Sequence, residues 1–268
     1  PALLNVFNEI LVNARDQIVR LNQMYEKDKT IQKVSYLKIY ITDKNITVTN
    51  DGQGISCKLH QKEKIHIPQL IFGELLTSSN YKKDEKKIVG GKNGYGAKLV
   101  NIFSDKFTLT TVDIDEQKKY TQTWEKNMTI CNKPSLKKFT GKPFTTISYD
   151  LDFSRFGIES YSQDLINLMY RRVYDIAGIT DKSVKVYLND DLIKIKSFND
   201  YVKLFSVNEN KNILHEKISD RWEICISTSD NDTFEQVSFV NGIHTSLGGS
   251  HVDFVTKIIT NHLSEFMK

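Results

Sequence analysis

Asn5, Glu9, Asn13 and Gln17 recur at every fourth position near the start of the chain, a spacing that lines four polar side chains along one stripe of a helix. A carboxylate and a carboxamide one turn apart can together hold a water and a hard cation, since Mg2+ takes oxygen ligands and the carboxylate can take a proton. A solvated helix face is the plainer alternative. Two asparagines, mediocre helix formers, where lysine or arginine would be ordinary argue for chemistry. A second group, Asn50-Asp51-Gly52-Gln53-Gly54, sets an amide and a carboxylate before two glycines, so that backbone and side chain could meet a flat ligand edge closely; a plain Asp-Gly turn is the other reading. The third, Gly90-Gly91-Lys92-Asn93-Gly94-Tyr95-Gly96-Ala97-Lys98, runs straight into a helical pattern. Free amides at that positive end could cradle phosphates, with Lys92 or Lys98 adding charge.

The spacing of this third group excludes three kinds of phosphate loop. A Walker loop ends in Gly-Lys-Ser/Thr, whereas Gly96 is followed by Ala97-Lys98-Leu99. A dinucleotide fingerprint needs a glycine where Leu99 stands, and no His-Arg-Asp or Asp-Phe-Gly accompanies a kinase-type loop. A phosphate loop of another kind, or a flexible lid, remains. Nine of the 13 glycines fall in three groups, the third being Gly242, Gly248 and Gly249, so three special backbone sites are expected.

Those residues need elements to hold them. Pro1 suits a first helical turn, and Leu3, Phe7, Ile10, Leu11, Ala14 and Ile18 predict a helix over about 2–20. Alternating runs at 34–41 and 45–49 around Thr42-Asp43-Lys44 predict a β-hairpin. A short helix from Pro68 to Leu76, a polar lysine-rich loop over 77–93 and a helix over 95–103 follow. Then come strands near 106–113, 120–124 and 143–151, a helix over 161–177 and a strand at 183–188. From about Ile195 the pattern restarts with a helix near 198–205, strands near 222–227 and 235–240, a glycine loop and a closing helix from Ser250. Hairpin-connected strands with helices laid against them predict an α+β fold rather than a doubly wound parallel one. Trp124 and Trp222 are expected in the core, His244 and His251 as hydrogen-bonded loop residues, and Lys82, Lys83, Lys86 and Lys87 on a solvated surface.

Composition bounds the function. The 268 residues carry a formal charge of +4, from 37 basic and 33 acidic side chains, too little to indicate nucleic-acid binding by itself. With 39% hydrophobic and 26% charged residues, the chain has the balance of a soluble globular protein of one or two domains. No apolar run approaches the ~20 residues that cross a bilayer, so no membrane partner is expected. Cys57, Cys131 and Cys225 are far apart and odd in number, which excludes a disulfide framework and fits a reducing compartment.

The three groups in this order resemble the ATP-binding boxes of the GHKL superfamily. Within it, Glu9-Ile10-Leu11-Val12-Asn13-Ala14, Leu70-Ile71-Phe72-Gly73-Glu74-Leu75-Leu76-Thr77-Ser78-Ser79-Asn80-Tyr81, Asn93-Gly94-Tyr95-Gly96-Ala97-Lys98-Leu99 and Arg171-Arg172-Val173-Tyr174-Asp175-Ile176-Ala177-Gly178 are similar to eukaryotic-type DNA topoisomerase II. So are Ser238-Phe239-Val240-Asn241-Gly242-Ile243 and Gly248-Gly249-Ser250-His251-Val252, and the resemblance covers essentially the whole chain.

The resemblance implies a GHKL (Bergerat) ATPase sandwich over residues 1–195, a mixed and mostly antiparallel sheet with helices on one face. Residues 196–268 would form the first part of a ribosomal-S5-like transducer domain. It implies ATP and Mg2+ as cofactors, with Glu9 the general base and Asn13 the Mg2+ ligand that also touches the phosphates. Asn50 and Thr145 would lie at the adenine, Ser78, Ser79 and Asn80 at the sugar and phosphates, and Gly91, Lys92, Asn93, Gly94, Tyr95, Gly96, Ala97 and Lys98 around the triphosphate. Its partners would be DNA, through the full-length enzyme, and a second copy in a homodimer, located in the nucleus, or in host cytoplasm or virion for a viral parent. The family's partner-embracing arm would lie ahead of Pro1. The transducer lysine that reaches the γ-phosphate and the DNA-cleaving residues would lie beyond Lys268. A chaperone or mismatch-repair GHKL machine, or a nucleotide-gated module without catalysis, is the rival reading; Glu9 argues against the last, since a pure binder needs no base. Where family members often carry Ala-Asp-Asn after the metal asparagine, this chain has Arg15-Asp16-Gln17, which puts a ligand role for Gln17 in doubt.

Overall fold

A computed structural model describes residues 2–74, 95–205, 213–219, 221–229 and 233–268. The chain separates into two compact units, Pro1–Tyr201 and Val202–Lys268. Tyr201 packs within the first unit, its hydroxyl on Asp175 and its ring against Gly178.

The first unit opens with α1 (Ala2–Lys27), which buries Phe7, Ile10, Leu11, Ala14, Ile18 and Leu21. It outruns the expected end near residue 20 because Leu21 extends the apolar i, i+3, i+4 series by another turn. The hairpin forms as β1 (Tyr36–Ile41) and β2 (Asn45–Asp51), paired antiparallel. Its turn is closed by Thr42, whose amide donates to the Asn45 carbonyl and whose hydroxyl accepts from the Asn45 amide, both at 2.9 Å.

Next come α2 (Ile67–Gly73), with Pro68 in its first turn, and α3 (Gly96–Ile102). The expected loop over 77–93 lies outside the described residues. Strands β3 (Ser104–Asp113), β4 (Lys118–Glu125), β5 (Ile130–Cys131), β6 (Ser135–Lys138) and β7 (Phe144–Leu151) precede α4 (Gln163–Gly178), β8 (Lys185–Leu188), β9 (Asp191–Leu192) and α5 (Phe198–Lys203). They join in the order β5-β4-β3-β7-β2-β1-β8-β9, with β6 also on β4. Among the described pairs β1 with β8 is parallel and the others are antiparallel. This is the mixed, mostly antiparallel α+β sheet that the hairpin-rich pattern predicts. One sheet face is buried, as the strict alternation of β1 and β2 shows, and α1 packs against α3, α4 and β2.

Trp124 anchors the far end of the core. It is 1% exposed, meets Phe107 edge-on at 5.9 Å, and lies so near Gly73 that a Cβ there would come within 2.7 Å of its Nε1. Trp124→Ala is expected to cost about 3–5 kcal/mol in chemical denaturation; a loss below about 1 kcal/mol would show that this end of the core is not what holds α2 to β4.

The second unit contains β10 (Leu214–Ser219) paired with β11 (Trp222–Ile226), β12 (Phe239–Val240) paired with β13 (Ile243–His244), and α6 (Ser250–Phe266). Strand β10 was not foreseen, and the strand expected over 235–240 shrinks to its last two residues. Trp222 corrects its expectation: it is 41% exposed, its ring tilted against Phe254 at 6.4 Å, because the described apolar side chains of this unit are themselves not buried. His251 does hydrogen-bond, its Nε2 lying 3.2 Å from the Thr245 hydroxyl, but from the first turn of α6 rather than from a loop, and His244 belongs to β13.

Candidate functional site

Glu9 projects from α1 toward the start of α3. The two meet at Gly96, where a Cβ would fall 1.8 Å from Glu9 Oε2 and 2.7 Å from its Cδ. No side chain but glycine's hydrogen leaves room for that carboxylate. Glu9 keeps access to solvent, yet the protein around it displaces enough water to push its carboxyl above the usual range. Asn13, one turn further, is half-buried. Neither side chain takes a hydrogen bond from a described residue. Two oxygen-bearing groups one helical turn apart, without a partner among the described residues, suit a site where a hard cation draws its other ligands from phosphate and water. Among the described residues no group of three or more His, Cys, Asp or Glu could form an all-protein cage. Gln17 at the end of the stripe is engaged otherwise, its Oε1 accepting from Arg20 Nη2 at 2.5 Å.

A second polar patch interrupts the buried face of the sheet at one end. Asn50 of β2 is register partner to Thr145 of β7, which is partner to Thr111 of β3. All three alternate in phase with apolar residues of the core face, Ile46 and Val48, Ile147 and Tyr149, Phe107 and Leu109. Thr111 and Thr145 share a hydrogen bond at 2.9 Å, and the Ile55 amide donates to the Thr111 hydroxyl at 2.9 Å. Asn50 donates from Nδ2 to the Asp51 carbonyl at 2.9 Å. A row of amide and hydroxyl groups where the apolar core stops can read the edge of a flat polar ring.

The neighbouring glycines are structural. Asp51 accepts from the Ser35 amide at 2.7 Å and the Tyr36 amide at 2.9 Å, so its carboxylate secures the start of β1. Gly52 has φ +94°, and a Cβ on Gly54 would overlap the Val112 carbonyl oxygen at 1.9 Å. The chain after Asn50 can thus double back against the end of β3.

Tyr95, Gly96, Ala97 and Lys98 begin α3. Lys98 is buried at 1% exposure; burial pulls its ammonium below the ordinary lysine value, and the Glu74 carboxylate opposes that shift. Ser78, Ser79, Asn80, Gly91, Lys92, Asn93 and Gly94 lie outside the described residues. The structure therefore brings Glu9 to Gly96 and Asn50 to Thr145. Sequence reasoning missed Thr111, whose signal was a hydroxyl in phase with Phe107 and Leu109. It also missed Asn101, buried at 0%, whose Nδ2 donates to the Phe72 carbonyl at 3.0 Å and ties α3 to α2.

Comparison with known proteins adds to this geometry. The family model described as DNA gyrase B matches residues 184–268. DNA topoisomerase 2 of Candida glabrata is 46% identical, the alignment covering 100% of this chain and 20% of the relative. The crystal structure of the ATPase region of Saccharomyces cerevisiae topoisomerase II superposes with a TM-score of 0.88 at 43% identity, covering 99% of this chain and 68% of that one. The 43K ATPase domain of Thermus thermophilus gyrase B, solved with an aminocoumarin, has a TM-score of 0.57 at 16% identity over 83% of this chain and 55% of its own, a likeness of fold alone. The chain spans about a fifth of the length of the curated relatives it matches. The α+β GHKL fold expected from the sequence is the one present.

Proposed function

Since the chain belongs to the DNA topoisomerase II family, we propose that its first unit binds and hydrolyses Mg2+-ATP and that its second is the beginning of the transducer. In the full-length enzyme, ATP-driven dimerisation of this region closes the gate that captures one DNA duplex for passage through a transient double-strand break in another. The observation that carries the reading is the Glu9 carboxylate nested on Gly96: solvent-accessible, without a partner among the described residues, and with raised proton affinity.

Each step follows from this chain's own groups. Asn50 and Thr145 hold the base at the sheet end, and Thr111 fixes the Thr145 hydroxyl. Lys98 brings positive charge to the phosphates from the first turn of α3. Glu9 takes a proton on Oε2 or Oε1 from the attacking water, and its raised pKa makes it a stronger base than an ordinary glutamate. Asn13 would hold Mg2+, which when bound supplies charge neutralisation at the phosphates.

Membership of this family sets aside the chaperone and mismatch-repair machines. The test uses the full-length enzyme: a non-hydrolysable ATP analogue should convert the open N-terminal region to a closed dimer, and duplex DNA should raise phosphate release. Turnover indifferent to DNA, with no nucleotide-dependent closure, would overturn the proposal.

A further inference from the structure

We infer that a buried relay, Asn8–Arg172–Asp175–Tyr201, positions the turn of α1 that presents Glu9, which makes Tyr201 a positioning residue for turnover although it lies at the other end of the first unit. The inference rests on the reading of Glu9 as the base.

The relay is continuous. Asn8 immediately precedes Glu9, and its Oδ1 accepts from Arg172 Nε at 3.0 Å, across 164 residues of sequence. Arg172 Nη1 donates to Asp175 Oδ2 at 2.5 Å, one turn along α4. The other carboxylate oxygen, Asp175 Oδ1, accepts from the Tyr201 hydroxyl at 2.6 Å. Arg172, Asp175 and Tyr201 are 5%, 1% and 2% exposed. Gly178 makes the last link possible: a Cβ there would sit 2.4 Å from Cγ of the Tyr201 ring. Burial, with the Asp175 carboxylate adding to it, pushes the Tyr201 hydroxyl far above its ordinary value, so it remains a donor throughout the working pH range.

Stability is a poor reason for this arrangement. Taking an ion pair out of water costs about as much as the pair returns, and apolar replacements of similar volume often serve as well. What the guanidinium fork supplies is direction, because its donors are fixed in one plane. Successive side chains on a helix leave at about 100° to each other, so holding the Asn8 amide sets the azimuth from which Glu9 departs. Misplacing a reacting group by about 1 Å can cost ~10²-fold in rate. Tyr201 sits in α5, the helix that carries the chain out of the first unit. A shift of α5 therefore reaches Asn8 through a carboxylate and a guanidinium, both of which lack room to rearrange.

The test is made in the full-length enzyme. Tyr201→Phe keeps the ring and deletes one hydroxyl; it should lower ATPase kcat on the order of tenfold with KM for ATP unchanged, while the thermal midpoint falls modestly because the buried Asp175 oxygen loses this donor, so turnover is read well below that midpoint. Asn8→Ala should do the same, and the double variant should be no slower than either single one, because both break one relay. Unchanged kcat in Tyr201→Phe, a loss appearing in KM instead, or two factors that multiply would each overturn the inference while Glu9→Gln, run alongside, stays inactive. If Glu9→Gln itself retains turnover, the base assignment fails and the inference falls with it.

Discussion

Replacing Glu9 with glutamine is expected to reduce ATP turnover by about 10²–10⁴-fold, the usual cost of a lost general base, while leaving the affinity for a non-hydrolysable analogue intact. Glutamine preserves shape; what disappears is the capacity to accept the water's proton. The wild-type acid limb adds a second signature. Because water is displaced around Glu9, its carboxyl titrates above the ordinary range, so kcat should fall on acidification at a pH higher than a free glutamate would give. The same shift has a stability consequence of known sign. Folding favours the protonated form, so that contribution is complete below the unfolded-state pKa and is lost as pH rises through the folded one. At neutral pH the ionised carboxylate is a burden that Glu9→Gln relieves, and the variant should melt slightly higher than wild type, an advantage that disappears in acid. Wild-type turnover in saturating ATP would remove Glu9 from the mechanism.

The second large effect is expected at Gly96→Ala. The added methyl would overlap the Glu9 carboxylate, at 1.8 Å from Oε2 and 3.3 Å from Cγ, and these are the atoms of a long, rotatable side chain open to solvent. The fold can therefore accept the substitution by swinging Glu9 aside, at little cost in denaturation midpoint. Catalysis cannot, because the displaced carboxylate no longer meets the water; a loss of about 10²-fold or more is expected, approaching that of Glu9→Gln. Measuring turnover and unfolding on the same preparation separates the two. A normal rate would mean that the approach of α3 to Glu9 plays no part in catalysis, and a collapsed midpoint would mean that Gly96 serves packing instead.

Much of this molecule was legible in the linear chain, and the reason is periodicity. The alternation Leu37, Ile39, Ile41 against Ile46, Val48 places a hairpin without ambiguity, since a one-residue slip would turn every apolar group to the wrong face. The four-residue recurrence of Glu9 and Asn13 by itself places both on one stripe of α1. Strands β5 and β9, two residues each, are too short to show a period and were missed. Trp222 misled because β11 alternates like a buried strand, Trp222, Ile224, Ile226, yet alternation reports which face is apolar and not whether anything covers it.

The candidate site divides along the same line. That a carboxylate and an amide stand together near the N-terminus, that an amide precedes two glycines, and that a glycine-rich run leads into α3 are properties of residues close in sequence, where local geometry decides. That Gly96 receives Glu9, that Thr111 holds Thr145, that Asn101 joins α2 to α3 and that Arg172 reaches back to Asn8 are decided by the packing of helices against the sheet. Such contacts join residues from 29 to 164 positions apart, and no local preference encodes them. They form because close packing of the helices against the sheet fixes which groups approach one another and so where a buried donor such as Asn101 Nδ2 or Arg172 Nε finds its acceptor.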